Sequence, residues 1–356
     1  MPVRPAPLLL TLRRDGLRRS PVLVATAVGV LVLAGCASGT AAGSTADEGP
    51  ASASATPTTP SADEAFPLTV DNCGVEVTVP EPPQRVVTIK STATEMLLAL
   101  GVGDRIVGTG FPDGPAPAEL ADEAAGLTVL SDKVPSAEVV LQAEPDLVYA
   151  GWESNLTAEG AGDRATLAQL GVATYVSPSA CKDPAYQPDR LTFDDVFDQV
   201  TEMGAVLGVP EAAADLVADQ RSDLEGLEPD DRGLTVLWYS SGDDVPYVGA
   251  GIGAPQMIMD ALGVENIAAG VADTWASFSW EQVAQDDPDV IVLVDATWNS
   301  ADKKRAELAA NPATANLTAV VNERYLVVPF AAGEAGVRNV PATVDLAGQL
   351  AALDVG

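Results

Sequence analysis

Two segments of this chain share one pattern, Ser136-Ala-Glu138-Val-Val140 before Pro145-Asp146 and Ser279-Trp-Glu281-Gln-Val283 before Pro288-Asp289. The serine predicts a helix N-cap, and the acid after it suits the positive end of the helix dipole. Pro-Asp followed by an aliphatic run predicts that the helix stops and a buried parallel strand begins. Two copies that lie 143 residues apart indicate two lobes of similar α/β build.

Strands and helices alternate around both copies, which predicts parallel sheets. The first lobe is expected to hold strands at 85–89, 106–108, 128–130, 146–150 and 174–176, with helices at 91–100, from 136, and at 163–170. The second is expected to hold strands at 235–239, 289–294 and 325–329, with helices at 255–262, from 279, and from about 303. Apolar residues at helical spacing in 193–207, and again after Pro210, predict a helical connector that forms a stiff hinge.

The predicted fold class is therefore α/β, with two Rossmann-like lobes, each a three-layer sandwich, joined by a single long helical connector. The N-terminal lobe spans 66–190, the connector 191–230 and the C-terminal lobe 231–356. A body of about 290 residues exceeds what one hydrophobic core usually holds, which supports the division into two.

The N-terminus predicts export. Five arginines precede the apolar run Val22–Ala34, which is too short to span a bilayer, and Leu33-Ala34-Gly35-Cys36 looks like a bacterial lipobox. We expect 1–35 to be a signal peptide and Cys36 to carry palmitate-type acyl chains that anchor the protein to the outer face of the cell membrane. Residues 36–65, rich in Ala, Ser, Thr, Gly and Pro, are expected to form a disordered tether. The export route, general secretory or twin-arginine, stays open.

Charge and cysteine content narrow the partners. The chain has 19 basic and 51 acidic residues, and the signal contains five arginines and Asp15, which leaves a net charge of −36 after cleavage. Such a chain is not expected to bind nucleic acid. Cys73 and Cys181 remain once Cys36 is acylated, and an even pair in an exported protein predicts a disulfide.

Catalytic and metal chemistry find little support. The chain has no histidine, which argues against a hydrolase triad and against capture of a bare transition metal, so no metal site and no cofactor are expected. Gly249-Ala-Gly251-Ile-Gly-Ala254 fits the G-x-G-x-x-A dinucleotide fingerprint, but Pro255 follows at once and no acidic partner is evident. A secreted dinucleotide-dependent enzyme is therefore kept only as an alternative to a binding protein, and the chain is not expected to be an enzyme.

The string Arg85-Val-Val-Thr-Ile-Lys-Ser-Thr-Ala-Thr-Glu95-Met-Leu-Leu-Ala-Leu-Gly101, the paired motifs and the helical connector resemble class III substrate-binding proteins. These serve ABC importers of ferric siderophores, haem and cobalamin. The resemblance implies that Glu138 and Glu281 dock on the permease subunits. The protein is expected to act as a monomer. A ligand-sensing lipoprotein of the same fold without a transporter remains an alternative.

A narrower resemblance concerns the ligand. The strings 237–242, 246–256 and 334–339 look like an actinobacterial subgroup proposed to carry the phosphorylated precursor of the deazaflavin cofactor. Ligands in α/β folds bind at the carboxyl ends of strands, where aromatic rings could stack on a flat ring system and Lys90 or Arg338 could meet a phosphate or carboxylate. The candidate contacts are Lys90, Ser91, Thr92, Phe111, Trp152, Glu153, Trp238, Tyr239, Tyr247, Trp275, Trp298 and Arg338.

Overall fold

A computed structural model describes residues 65–355 of the chain. The predicted signal peptide, Cys36 and all but one residue of the predicted tether lie outside the described residues. Within 65–355, none of the helices has the length and apolar character needed to cross a membrane.

The N-terminal lobe holds seven strands and four helices among the described residues. The strands are β1 (Leu68–Asn72), β2 (Val75–Val79), β3 (Val86–Ile89), β4 (Ile106–Gly110), β5 (Val129–Ser131), β6 (Leu147–Ala150) and β7 (Ala173–Val176). The helices are α1 (Ser91–Ala99), α2 (Ala121–Ala125), α3 (Ala137–Gln142) and α4 (Arg164–Gln169). Strands β3 to β7 form a parallel sheet in the order β5-β4-β3-β6-β7. The antiparallel hairpin β1–β2 was not predicted from the sequence.

The C-terminal lobe follows two connecting helices, α5 (Phe193–Val206) and α6 (Pro210–Glu225). Its strands are β8 (Thr235–Ser241), β9 (Tyr247–Gly249), β10 (Glu265–Asn266), β11 (Trp275–Ser277), β12 (Val290–Asp295) and β13 (Tyr325–Pro329). Its helices are α7 (Ala254–Leu262), α8 (Trp280–Asp286), α9 (Ala301–Ala310), α10 (Thr318–Val321) and α11 (Asn339–Ala351). The sheet runs β11-β9-β8-β12-β13, and β10 pairs with the start of β8.

The second sheet is mixed: the predicted strands β8, β12 and β13 pair in parallel as expected, and two strands that were not predicted add antiparallel pairs. Strand β9 pairs antiparallel with β8, and β11 pairs antiparallel with β9. The reason is the short link at 242–246, because a parallel crossover needs a dozen residues or more whereas a tight turn returns the chain antiparallel. The same geometry removes the dinucleotide alternative, since a fingerprint that follows an antiparallel strand does not open a βαβ unit.

The paired motifs make equivalent hydrogen bonds in the two lobes. Ser136 Oγ accepts from the backbone N–H of Val139, and Ser279 Oγ accepts from that of Glu281, so both serines cap their helices as predicted. The aspartates have a role that the sequence did not predict: each binds the start of the neighbouring central strand. Asp146 accepts from the N–H of Arg85 at 3.0 Å. Asp289 accepts from the N–H of Thr235 at 2.9 Å, the corresponding position in the other lobe.

The connector consists of two packed helices, α5 and α6. A methyl group added to Gly204 in α5 would lie 2.3 Å from Cβ of Ala213 in α6, so the two helices touch near their junction. At the far end Arg221 pairs with Asp194 at 2.7 Å, which makes the helices antiparallel. Helix α5 places Val196 in the C-terminal core and Val200 in the N-terminal core. The connector therefore packs on both lobes along its length.

A second link between the lobes lies at residues 330–338, named here the crossing segment. It joins β13 to α11. Phe330 packs on the core of the C-terminal lobe, whereas Val337 is buried in the core of the N-terminal lobe. The Nε2 of Gln220 in α6 donates to the carbonyl oxygen of Val337 at 2.8 Å. The crossing segment thus contacts both lobes and is bonded to the connector helix α6.

Candidate functional site

A cavity of about 320 Å³ lies between the lobes. Its wall is built from loops at the carboxyl ends of β3 and β6, from residues around β9 to α7, from the loop 179–191 and from the crossing segment. In the N-terminal sheet, β4 lies on one side of β3 and β6 lies on the other, so the strand order reverses at β3. The carboxyl end of β3 is therefore a topological switch point, the place where α/β folds bind ligands. The predicted contacts that line the cavity are Thr92, Trp152, Glu153, Tyr247 and Trp275.

Aromatic rings form a continuous row on the C-terminal side. The rings of Tyr247 and Trp275 stack with centroids 6.2 Å apart, and Trp275 stacks on Phe330 at 6.5 Å. Trp298 meets Phe330 edge-on at 5.1 Å but is 58% exposed and does not line the cavity. Trp152 lines the same cavity from the N-terminal lobe. A flat, conjugated ligand would find stacking surfaces from both lobes.

Lys90 does not present its charge to the cavity, in contrast to its predicted role. The ammonium is buried and paired with Asp113, which also accepts from the backbone N–H of Ser91. The Lys90 Nζ lies 3.7 Å from the ring centroid of Trp152 and 4.6 Å from that of Phe111, a cation–π arrangement. Ser91 and Phe111 thus support the lysine and the tryptophan from behind the wall. The Asp113 carboxylate, which sequence reasoning missed, neutralises the charge expected to attract an anion.

The guanidinium of Arg338 is likewise bound by groups of the protein itself. Its Nε and Nη2 bind the two carboxylate oxygens of Glu95, and Nη2 also donates to the carbonyl oxygen of Pro115 at 2.8 Å. The pair is buried and joins the crossing segment to α1 of the other lobe. Burial raises the pKa of Glu95, and the guanidinium opposes that rise. The Arg338–Glu95 ion pair therefore links the two lobes, and the guanidinium is not free to bind a ligand phosphate.

Trp238 and Tyr239 are placed in the core, so their predicted ligand contacts are not supported. Both lie on β8 with at most 1% exposure, Trp238 on one face of the sheet and Tyr239 on the other. The strand continues to Ser241, so these side chains fall within the strand rather than beyond its end. A central strand buries both faces, which is why the residue type alone misled the prediction.

Glu334 is the residue of the wall that sequence reasoning passed over, although it begins one of the strings quoted for the narrower resemblance. Its Oε2 accepts from the indole N–H of Trp152 at 2.7 Å, a hydrogen bond across the two lobes. Burial raises the pKa of Glu334 to about 7, while the ammonium of Lys90 and the Trp152 hydrogen bond oppose the rise. The carboxyl therefore titrates near neutral pH inside the cavity wall.

Glu334 should make the free energy of unfolding depend on pH. Its pKa is about 7 in the folded chain against an ordinary 4.5, so its stabilising contribution is complete below pH 4.5 and is lost as the pH rises through 7. Between these limits the wild type should lose up to about 3 kcal/mol relative to Glu334→Gln, at 1.36 kcal/mol per pKa unit. Urea denaturation of both proteins at a series of pH values measures the difference; a difference that stays constant with pH would contradict the assignment.

A disulfide shapes one wall of the cavity. Cys73, in the turn of the β1–β2 hairpin, is bonded to Cys181, whose Cα lies 5.3 Å away. Cys181 belongs to the loop 179–191, which also supplies Lys182, Gln187 and Leu191 to the wall. The backbone N–H of Lys182 donates to Glu153 at 2.6 Å. The bond thus holds a loop without regular strand pairing at the mouth of the cavity.

The two docking candidates lie at corresponding places on the lobes. Glu138 and Glu281 are exposed and occupy the first turns of α3 and α8. Each helix leads into the amino end of a central strand, β6 or β12, so its own N-terminus lies toward the carboxyl edge of the sheet, where the cavity opens. The hydroxyl of Ser279 donates to Glu281 at 2.6 Å, and this bond lowers the pKa of Glu281.

Two α/β lobes, a helical connector and an aromatic cavity between the lobes define the class of two-lobed solute-binding proteins. Residues 86–332 match the family model described as periplasmic binding protein. The match covers more than half of the chain, and the chain belongs to this family, whose members are non-enzymatic solute carriers. The fold class and the expectation that the chain is not an enzyme are thereby confirmed.

Individual relatives agree with this assignment. The chain is 24% identical over 296 residues to the uncharacterized ABC transporter substrate-binding lipoprotein YvrC of Bacillus subtilis, covering 81% of this chain and 84% of that one. It is 28% identical over 261 residues to a cobalamin-binding protein of Halobacterium salinarum, covering 69% of this chain and 62% of that one.

Solved structures have the same architecture. A periplasmic binding protein of Veillonella parvula superposes with a TM-score of 0.71 at 27% identity, over 81% of this chain and 98% of that one. A protein described as an ABC-type Fe3+-hydroxamate transport system of Saccharomonospora viridis gives 0.70 at 26% identity, over 81% and 100%. Two-lobed proteins of the binding-protein type are therefore similar to this chain over nearly all of its described residues.

Proposed function

We propose that this protein is the substrate-binding lipoprotein of an ABC importer, which captures a small molecule outside the cell and delivers it to the permease. The observation that carries the proposal is the aromatic cavity enclosed by two lobes. Family membership and the relative named as an ABC transporter substrate-binding lipoprotein support it. The lipobox ending at Cys36 supports a lipid anchor on the outer face of the membrane.

The proposed ligand is a ferric siderophore-like chelate or a phosphorylated deazaflavin precursor. Relatives named for cobalamin and for Fe3+-hydroxamate transport support a large ligand with a conjugated or chelated ring system. The stacked rings of Tyr247 and Trp275 in the cavity wall support a ligand with a flat ring, such as the deazaflavin precursor. Saturable quenching of tryptophan fluorescence by one of the two ligand types, titrated separately, distinguishes them.

Docking is proposed to use Glu138 and Glu281, because paired exposed carboxylates flank the opening and could meet basic residues of the permease. The double variant Glu138→Lys/Glu281→Lys should lose at least tenfold in stimulation of the permease ATPase, measured with the permease reconstituted in liposomes. Its affinity for ligand should stay within about twofold, since neither side chain lines the cavity.

Glu211→Lys is the matched control. Glu211 is also an exposed acid in the first turn of a helix, α6, so its reversal repeats the helix-dipole cost without touching the paired motif. The control should stimulate the ATPase as the wild type does. Full stimulation by the double variant would reject the docking role of the two glutamates, whereas no stimulation by the wild type would favour the alternative of a ligand sensor without a transporter.

A further inference from the structure

Gly333 and Glu334 form the part of the cavity wall that both cavity tryptophans meet. A methyl group added to Gly333 would lie 3.3 Å from Cη2 and Cζ2 of Trp275, so the benzene ring of that indole rests on the glycine backbone. The next residue, Glu334, binds the indole N–H of Trp152 from the opposite lobe. Glu334 therefore lies beside the surfaces on which a planar ligand would pack.

One carboxyl oxygen of Glu334 is committed and the other is open. Oε2 accepts from Trp152, whereas Oε1 has no hydrogen-bond partner within residues 65–355. Oε1 is also absent from the atoms that are sealed in protein without a partner. Since Glu334 lines the cavity, this oxygen faces the cavity space as a free acceptor.

Two of the nearby cations are already paired within the protein. The ammonium of Lys90 is paired with Asp113 and lies over the ring of Trp152. The guanidinium of Arg338 is bound to Glu95. The remaining ionisable side chains of the wall, beside Glu334, are Glu153, Lys182 and the Tyr247 phenol. A ligand group that carries negative charge would meet a carboxylate at this spot, whereas an N–H or O–H group would complete its hydrogen bonding.

We propose that Glu334 selects the ligand by accepting a hydrogen bond from an N–H or O–H group on the edge of a planar conjugated ring. The inference rests on the proposed solute-binding function and names the chemical class of the solute: a flat ring with an uncharged or cationic donor edge, packed on the indole of Trp152 or Trp275. Any anionic part of the molecule lies away from Glu334.

The protonation state of Glu334 supplies an independent readout. The groups that face it are Lys90 from the start of α1, Asp113 from the loop after β4, Trp152 from the loop after β6, and Tyr247 from β9. The carboxylate form accepts from a donor edge better than the protonated form does. Binding of a donor ligand should therefore weaken as the pH falls through the pKa of about 7.

The test uses two probes with the same stacking surface, a 5-deazaflavin ring with a free imide N–H and its N-methylated derivative. The full chain in detergent is titrated with each probe by tryptophan fluorescence. The wild type should bind the N–H probe at least tenfold more tightly, because a site built around a hydrogen bond rejects the analogue that lacks it. In Glu334→Gln the amide oxygen is expected to accept the hydrogen bond from Trp152, so the NH2 group faces the cavity. The preference for the N–H probe over the N-methylated probe should then vanish.

Glu123→Gln on the exposed helix α2 controls for the loss of one negative charge and should keep the preference. Three results would overturn the proposal: equal affinity of the wild type for both probes, an equal loss on both probes in Glu334→Gln, or no binding of either probe. Each of them leaves the ATPase test of docking unaffected, so failure of the ligand class and failure of the importer function are distinguishable.

Discussion

Arg338→Met should lower the free energy of unfolding by about 3–5 kcal/mol, because it removes one partner of a buried ion pair and leaves the other uncompensated. Glu95 is 3% exposed, and the only cation that binds it among residues 65–355 is the guanidinium of Arg338. The carbonyl oxygen of Pro115 loses a donor as well. Chemical denaturation of the wild type and the variant, followed by tryptophan fluorescence, measures the loss.

The double variant Glu95→Leu/Arg338→Met is the matched control. Replacing both charges by apolar side chains removes the desolvation cost together with the attraction, and should restore the stability to within about 1 kcal/mol of the wild type. A single variant as stable as the wild type would show that the pair does not hold the lobes. Equal losses in the single and double variants would assign the effect to packing of the arginine stem instead.

Cys73→Ala/Cys181→Ala should cost about 2–5 kcal/mol, because the bond closes a loop of 108 residues and so restricts the unfolded chain. The cost should appear in denaturation of the variant and, to the same degree, when the wild type is reduced with dithiothreitol. The variant itself should not respond to the reductant, which separates the bond from other effects of the substitutions.

Ligand binding should also weaken in this variant, since the loop 179–191 forms part of the cavity wall and Cys181 is its covalent tie to the β1–β2 hairpin. Trypsin cleavage after Lys182 gives a second readout, and should be faster in the variant. Unchanged stability and cleavage together would contradict a structural role for the bond.

Most of the helices and strands could be predicted from local sequence signals. Serine caps and Pro-Asp breaks act within a few residues, so the paired motifs predicted α3 with β6 and α8 with β12. The strand β3 and the helix α1 were also predicted. The hairpin β1–β2 and the short strands β9 and β11 were missed, because their pairing depends on partners and turns that an alternating pattern over a few residues does not identify.

The sequence by itself therefore determined the compartment signals, the two-lobed α/β class and the region of the cavity. Only the tertiary structure decided which side chains face the cavity. In the sequence, Lys90 and Arg338 looked like free cations. A buried charge is stable only when an opposite charge pairs with it, and the fold supplies those partners, Asp113 and Glu95, from other parts of the chain. Glu334 became a candidate for the opposite reason: the fold brings it beside Trp152, 182 residues away, and no local pattern encodes that contact.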